Sequence, residues 1–239
     1  MKYIRKIYYG IRRLLRPTKY YSDDFTQWLA FYNAGMMDSG NPYLFNWAIQ
    51  NLPSNKPIVE IGAFCGLSTN MITHFQRMHS KTNPFYSVDA FDYDPQRSML
   101  KISGVDLTFF DFNEKVLNQY KANVELFSRQ NMPIAIKAFS QEFFDTWKTK
   151  TTVEDLFGKR ITLGGEISFA YIDGDHSYEG AKFDFENFDK ILEVGGFVLF
   201  DDSADESNWP VKKVIREVKR SNRYEVVFKN PNYLFRKLR

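Results

Sequence analysis

The stretch from residue 169 to residue 203, FAYIDGDHSYEGAKFDFENFDKILEVGGFVLFDDS, constrains the fold of this chain more than any other. It contains two apolar runs, each followed by acidic residues, and a helical pattern of crossover length lies between them. Parallel strands joined in this way lie in one sheet, and their carboxyl ends meet at the edge where ligands bind. We therefore expect the acidic cluster at Asp173, Asp175 and His176 to lie close to the pair Asp201 and Asp202.

The chain from residue 56 onward alternates apolar runs with helical patterns, which is typical of a layered α/β fold. Its last two runs, Tyr224–Phe228 and Tyr233–Leu238, are joined so briefly that they must be antiparallel. The predicted fold class is a Rossmann-like, doubly wound sheet of seven strands, mostly parallel, with a C-terminal antiparallel hairpin. The other strands are predicted at Ile58–Ile61, Phe85–Val88, Ile134–Ala138, Ile167–Ile172 and Phe197–Phe200, and the helices at Ser68–Met78, Asn113–Gln130, Tyr178–Leu192 and Pro210–Ser221.

Residues 1–52 are predicted to form a basic amphipathic helix and a helical cap, in front of a catalytic domain at residues 53–239. Residues 1–20 carry seven basic side chains and no acidic one, so a total net charge of +3 leaves the remainder acidic. An acidic body without a basic stripe argues against a nucleic-acid partner. The helical pattern of residues 3–15 leaves two interpretations open: packing on its own domain or in a homo-oligomer, or peripheral contact with an anionic membrane through residues 1–17.

The cellular location is predicted from cysteine usage and hydropathy. Cys65 is the single cysteine, which fits a reducing compartment. No apolar run reaches the roughly 20 residues of a membrane span, and no signal-peptide core is present at the N-terminus. We expect a cytoplasmic protein, with membrane contact, if any, at the inner face.

A glycine-rich loop follows the first predicted strand and opens a helix, in the segment from Val59 to Thr69. Its pattern is Glu-x-Gly-x-x-x-Gly, whereas a dinucleotide fold has G-x-G-x-x-G at this place. A carboxylate inside the loop would repel a pyrophosphate but can accept a hydrogen bond from an ammonium group or a ribose. We predict that this loop binds a cofactor other than NAD, through Glu60, Gly62, Ala63, Gly66 and Ser68.

Two further segments are predicted to complete the cofactor site. Asp89 ends the second strand, where an acidic side chain is suited to grip the hydroxyls of a ribose. Ser140 and Gln141 follow the third strand and are predicted to face an adenine edge, although Ser140 is equally compatible with a helix N-cap. Asp175 is interpreted as a cap of the helix that begins near Ser177.

Together these residues resemble the class I S-adenosylmethionine-dependent methyltransferases, over roughly residues 54–239. The run DGDHSYEG and the segment Phe200-Asp-Asp-Ser203 resemble the metal-dependent O-methyltransferases, and most closely the branch that acts on sugar hydroxyls of glycans and macrolides (methyltransferase domain 24 type). The resemblance implies S-adenosylmethionine as the methyl donor, with Asp173 also near it. It further implies Mg²⁺ or Mn²⁺ held by Asp173, Asp201 and Asp202, with His176 as the base.

This chemistry suits an alcohol acceptor, because an alkyl hydroxyl is a weak nucleophile that needs a metal or a base to activate it. The expected partner is a small-molecule or glycan acceptor, and segments 92–111 and 146–165 are candidates for a lid or an acceptor-binding loop. Two alternatives remain open at this stage. One is a metal-independent methyltransferase acting on nitrogen or a phenol, and the other is a non-catalytic module that docks on a membrane or an enzyme complex.

Overall fold

The computed structural model of the chain describes residues 17–93 and 98–239, so the predicted helix of residues 3–15 lies outside the described residues. The helices are α1 Asp24–Tyr32, α2 Asn41–Gln50, α3 Leu67–Met78, α4 Phe109–Phe127, α5 Ser140–Lys148, α6 Tyr178–Ile191 and α7 Val211–Arg220. The strands are β1 Ile58–Ile61, β2 Phe85–Asp89, β3 Ile134–Lys137, β4 Thr152–Glu154, β5 Arg160–Thr162, β6 Ile167–Ile172, β7 Leu192–Phe200, β8 Tyr224–Lys229 and β9 Tyr233–Lys237.

Seven of the strands form one sheet in the order β3-β2-β1-β6-β7-β9-β8. The pairs among β1, β2, β3, β6 and β7 are parallel, and β9 runs antiparallel to both β7 and β8. The strand order reverses direction between β1 and β6, which is the place where open α/β sheets bind ligands. The predicted fold class, including the closing hairpin, is confirmed.

Helices cover both faces of the sheet, which explains why its central strands are buried throughout. One face packs against α5, α6 and α7, which contribute side chains such as Phe143, Phe188 and Val214. The other face packs against α2 and α3, with Phe45 and Phe75 fully buried. The sheet is therefore held rigidly from two sides, and its carboxyl edge is left for a site.

The N-terminal cap shares its core with the sheet. Leu29 of α1 and Leu44 of α2 belong to the same buried cluster as Phe169 and Phe197 of the sheet. Helix α1 begins with a capping box at Asp23, whose carboxylate also accepts a bond of 2.8 Å from His74 of α3. The boundary proposed at residue 52 stays a prediction.

Three elements differ from the sequence-based expectation. Strand β7 begins at Leu192, directly after α6, and its pairing with β6 is irregular over the glycine pair, where Gly195 has φ of +87°. The segment 146–165 contains the antiparallel pair β4–β5, and helix α5 occupies the residues after β3. The strands β4 and β5 and the helix α5 are each shorter than ten residues, so their periodic patterns in the sequence are weak.

Within residues 17–93 and 98–239, no helix combines the length and the apolar character needed to cross a bilayer.

The turn after β1 depends on the absence of a side chain at Gly62. Its φ is +91°, and a Cβ there would lie 2.0 Å from the carbonyl oxygen of Asp173. The loop after β1 and the end of β6 are thus in direct backbone contact, and only glycine allows both the backbone angle and the distance.

Gly62→Ala is expected to lower the free energy of unfolding by about 1–3 kcal/mol more than Gly104→Ala. Both substitutions place an alanine at positive φ, but only the Cβ at position 62 would also clash with the carbonyl of Asp173. Gly104 is a matched control, since its φ is +84° but nothing lies within 4 Å of a Cβ there. Urea unfolding of the two variants measures the difference. Equal losses would contradict the backbone contact between the two loops.

Candidate active site at the carboxyl ends of the parallel strands

Strand pairing places Asp173 beside Asp201. Ile172 at the end of β6 is paired with Phe200 at the end of β7, and each aspartate is the next residue along its strand. The Asp201 N–H donates to the carbonyl of Ile172 over 2.9 Å, and the Asp173 N–H donates to that of Ile61 over 2.8 Å. The register of β1, β6 and β7 therefore continues one residue past the strands and fixes both carboxylates at the edge.

The carboxyl groups of Asp173 and Asp201 face each other at hydrogen-bonding range. Burial raises the pKa of Asp173 well above its usual range, and the charge of Asp201 raises it further. Burial likewise raises the pKa of Asp201. The Tyr171 hydroxyl donates to Asp173 Oδ2 over 3.0 Å. Two buried carboxylates at this distance repel each other, so the pair favours a proton or a cation between them.

Two asparagine amides hold the Asp201 carboxylate from distant parts of the chain. Asn41, at the start of α2, donates to its Oδ1 over 2.8 Å, and Asn232, in the turn between β8 and β9, donates to the same oxygen. Asn232 also donates to the Asn41 side-chain oxygen over 3.1 Å. The sequence analysis missed both residues, because each lies in a turn-rich segment where asparagine is common for local reasons.

Asp202 contacts His176 and does not join the other two aspartates. Its Oδ2 lies 3.5 Å from Nδ1 of His176, in the range of an ion pair but longer than a hydrogen bond. Burial raises the pKa of Asp202 and the nearby His176 opposes that effect, while the charge of Asp38 adds to it. His176 and Asp202 therefore form a second pair beside Asp173 and Asp201.

The expected set of three metal-binding carboxylates is thus incomplete. No group of three or more His, Cys, Asp or Glu side chains in residues 17–93 and 98–239 is arranged to hold a metal ion. The predicted metal site of Asp173, Asp201 and Asp202 stays a prediction; in this structure Asp202 lies in the turn after β7, with φ of +50°, and its carboxylate is beside His176. The oxygen chemistry of Asp173 and Asp201 still suits Mg²⁺ or Mn²⁺.

Asp89 fixes the glycine-rich loop through backbone hydrogen bonds. Its Oδ2 accepts from the N–H groups of Ala63 and Phe64 over 2.8 and 2.9 Å, and its Oδ1 accepts from Phe91 over 2.6 Å. The Tyr93 hydroxyl also donates to it, over 3.2 Å at the closer oxygen. Burial raises the pKa of Asp89 although these bonds oppose the effect. The role predicted for Asp89 at a ribose stays a prediction; here it positions the loop.

Glu60 lies beneath the same loop and is fully buried. Its Oε2 accepts from the Thr69 hydroxyl over 2.6 Å and from the Ser87 hydroxyl over 2.9 Å, whereas its Oε1 has no partner. Burial raises its pKa to about 7. An unpaired carboxylate oxygen under a glycine-rich loop fits a ligand with an ammonium group, but contact with a ligand at Glu60 stays a prediction.

The remaining predicted cofactor residues line the start of two helices. Gly66, with φ +85°, is the N-cap of α3, and Ser68 is buried in its first turn. Ser140 is the first residue of α5 and Gln141 is exposed, while Phe139 occupies the N-cap position. The alternative of Ser140 as N-cap is therefore wrong, and its predicted contact with adenine stays a prediction.

Behind the Asp173 loop lies a buried carboxylate that the sequence analysis missed. Asp184 of α6 is 1 % exposed, neither of its oxygens has a hydrogen-bond partner, and burial raises its pKa to about 7. Its Oδ2 would lie 3.2 Å from a Cβ at Gly174. Asp175 accepts from the N–H and the hydroxyl of Ser177 over 2.8 Å each, and Ser177 is the N-cap of α6. Asp175 thus positions the N-cap residue Ser177 through hydrogen bonds and is not itself the N-cap of α6.

Glu60→Gln is expected to make the free energy of unfolding less dependent on pH. The pKa of Glu60 is raised from 4.5 to about 7 in the folded protein, so the folded state binds more protons than the unfolded state between these values. Stability contributed by Glu60 is therefore present at low pH and decreases as the pH rises to 7, by at most on the order of 3 kcal/mol.

Urea unfolding between pH 4.5 and 8 measures this effect. The slope for Glu60→Gln is expected to be smaller than the slope for the wild-type protein, and Glu154→Gln, at an exposed position of β4, is the control. If Glu60→Gln and the control gave the same slope as the wild type, the carboxylate would not be buried as described.

The chain is similar to known proteins both in its sequence and in its fold. Residues 59–203 match the sequence model of a family described as a methyltransferase domain. An 88-residue stretch, 33% of the chain, is 31% identical to uncharacterized protein R132 of Acanthamoeba polyphaga mimivirus, and the chain spans 40% of that relative's length.

Solved structures share the fold at low sequence identity. They include an O-methyltransferase from Bacillus cereus in complex with SAH (TM-score 0.57, 14% identity, 92% of each chain covered). The SAH-bound Podospora anserina methyltransferase PaMTH1 matches with TM-score 0.57 and 12% identity, over 98% of this chain and 96% of that one. CalS11, described as a calicheamicin methyltransferase, matches with TM-score 0.54 and 15% identity, over 93% and 96%.

Proposed function

The chain belongs to the methyltransferase domain family, and we propose that it transfers a methyl group from S-adenosylmethionine to a hydroxyl of a sugar, a glycan or a related metabolite. The family match covers more than half of the chain and includes the glycine-rich loop, the Asp173 loop and the end of β7. It confirms the predicted enzyme class. The methyl donor is supported by the glycine-rich loop that Asp89 holds in place.

The observation that carries the hydroxyl acceptor is the pair of His176 and Asp202 beside the pair of Asp173 and Asp201. Methyl transfer to a hydroxyl needs an acceptor for its proton, and histidine titrates near neutral pH. Nδ1 is the ring nitrogen next to the Asp202 carboxylate, so Nε2 is the nitrogen available to take a proton. The site thus combines a base for the hydroxyl proton with carboxylate oxygens that lie beside this base.

The reaction is a direct displacement at the methyl carbon. The acceptor oxygen forms a bond to this carbon while the carbon–sulfur bond breaks, and S-adenosylhomocysteine leaves. The hydroxyl proton passes to Nε2 of His176. The charge of Asp202 favours the protonated imidazole that results, in the way that a carboxylate orients the histidine of other catalytic pairs.

We also propose that Asp173 and Asp201 hold a divalent cation. The mutual repulsion of two buried carboxylates supports this assignment, because a cation removes it. Bound there, Mg²⁺ or Mn²⁺ would lower the pKa of an acceptor hydroxyl and orient it. Asn41 and Asn232 keep the Asp201 carboxylate in position from the other side.

One observation favours a second candidate, a metal-independent transfer to a phenol or a nitrogen. Asp202 contacts His176 and leaves the carboxylate pair one ligand short of the predicted three. A phenol is acidic enough to be activated by such a base alone. In this case Asp173 and Asp201 would position the acceptor through hydrogen bonds.

His176→Ala is expected to lower kcat for methyl transfer by about 10²–10⁴-fold, because the transition state loses its general base. Binding of S-adenosylmethionine, measured by calorimetry, is expected to stay unchanged. His79→Ala is the matched control, since His79 is the C-cap of α3 and its Nε2 lies 2.7 Å from Oδ1 of Asn46 in α2. A His176→Ala enzyme as fast as the control would disprove the role of this imidazole.

Removal of divalent cations with EDTA is expected to lower the rate of methyl transfer to an alkyl hydroxyl by about 100-fold or more, and added Mg²⁺ is expected to restore it. The rate is followed as S-adenosylhomocysteine release. Turnover that EDTA leaves unchanged would contradict the metal-assisted reaction and favour the second candidate.

A further inference from the structure

An exposed tryptophan lies directly beside the proposed base. The ring of Trp209 is 49% exposed, and its centroid lies 5.0 Å from that of His176 at an angle of 39° between the rings. Trp209 precedes α7, and nothing in the chemistry derived above uses it. An indole ring of this exposure next to a reacting group presents an apolar surface to whatever binds there.

The position of Trp209 is fixed by the turn that precedes α7. Its backbone N–H donates to the Ser207 hydroxyl over 3.1 Å, and Lys212 Nζ donates to the Ser207 carbonyl over 2.6 Å. Pro210 follows immediately at the N-cap of α7. The backbone of Trp209 is thus fixed, and its ring rests against His176, so little conformational freedom remains to be lost when a ligand covers it.

The proposed base has one carboxylate beside it, and the charge of a second carboxylate acts on the first. Asp202 contacts His176 on one side, and the charge of Asp38, in the segment before α2, acts on Asp202. Asp38 is itself oriented, because its Oδ1 accepts from the Gly40 N–H over 2.8 Å. Carboxylates only accept hydrogen bonds, so they suit a ligand with several hydroxyl donors and oppose an anionic one.

We infer that Trp209 is the platform for the acceptor, and that this acceptor is an uncharged sugar ring. One face of a pyranose carries C–H groups that pack on an indole, and its hydroxyls project at the rim toward Asp38 and Asp202. A sugar stacked on Trp209 would bring a hydroxyl toward His176. This inference rests on the proposed function, and it narrows the acceptor class to sugars without phosphate or carboxylate groups.

The test compares Trp209→Ala, Trp209→Phe and a matched control, Trp28→Ala, in methyl transfer to a panel of methyl glycopyranosides. Trp28 is 68% exposed on α1, where its ring contacts Phe31. Trp209→Ala is expected to raise KM for the glycoside about 10-fold with a much smaller change in kcat, because a binding platform acts on ground and transition state alike. Trp209→Phe is expected to restore most of the loss, and Trp28→Ala to behave as wild type.

Calorimetry with S-adenosylmethionine distinguishes a loss of acceptor binding from misfolding, since a folded Trp209→Ala variant is expected to bind the donor as the wild type does. Glucose 6-phosphate is expected to be a poorer acceptor than methyl glucopyranoside for the wild-type enzyme. An unchanged KM in Trp209→Ala, an equal loss in Trp209→Phe, or a preference for the phosphorylated sugar would each overturn the inference. Failure of the wild type to methylate any glycoside would overturn the proposed sugar acceptor itself.

Discussion

The contact between the carboxyl groups of Asp173 and Asp201 is the constraint on which the rest of the site depends. Parallel pairing of β6 and β7 places Asp173 and Asp201 side by side, because the two residues follow paired positions at the ends of neighbouring strands. Burial of two like charges is unfavourable, and the structure offsets it with donors from three places: Tyr171 in β6, Asn41 at α2 and Asn232 in the C-terminal hairpin. The cap, the sheet and the hairpin therefore meet at this pair of carboxylates.

Acidic residues also organise the neighbouring loop, although in another way. Asp89 accepts hydrogen bonds from the backbone of the glycine-rich loop, and Glu60 accepts from hydroxyl groups beneath it. Gly62 brings this loop against the carbonyl of Asp173, so the two halves of the site touch through the backbone. The glycine-rich loop and the Asp173 turn are therefore packed directly against each other.

Much of this arrangement is predictable from the sequence, for reasons of geometry. The order of apolar runs and helical patterns predicts a parallel sheet, and a parallel sheet places the residues after β1, β2, β6 and β7 at one edge. The short link between the last two strands predicts the hairpin. The proximity of Asp173 and Asp201 follows from these facts alone.

Side-chain direction and long-range contacts are not predictable in the same way. Asp201 and Asp202 are adjacent in the sequence, but they lie in a turn where Asp202 has φ of +50°, and the direction of its side chain beside His176 is not readable from the sequence. Asn41 and Asn232 are separated from Asp201 by 160 and 31 residues, and nothing local distinguishes them from turn residues. Asp184 is missed because one acidic residue within a helical pattern is usually on its exposed face.

The proposed division of the three aspartates into a cation-binding pair and a partner for the base is tested most directly by binding of Mn²⁺, followed by electron paramagnetic resonance. The wild-type protein and Asp202→Asn are expected to bind one Mn²⁺, whereas Asp173→Asn and Asp201→Asn are expected to lose it. Loss of binding in Asp202→Asn, or retention in both of the other variants, would contradict this account.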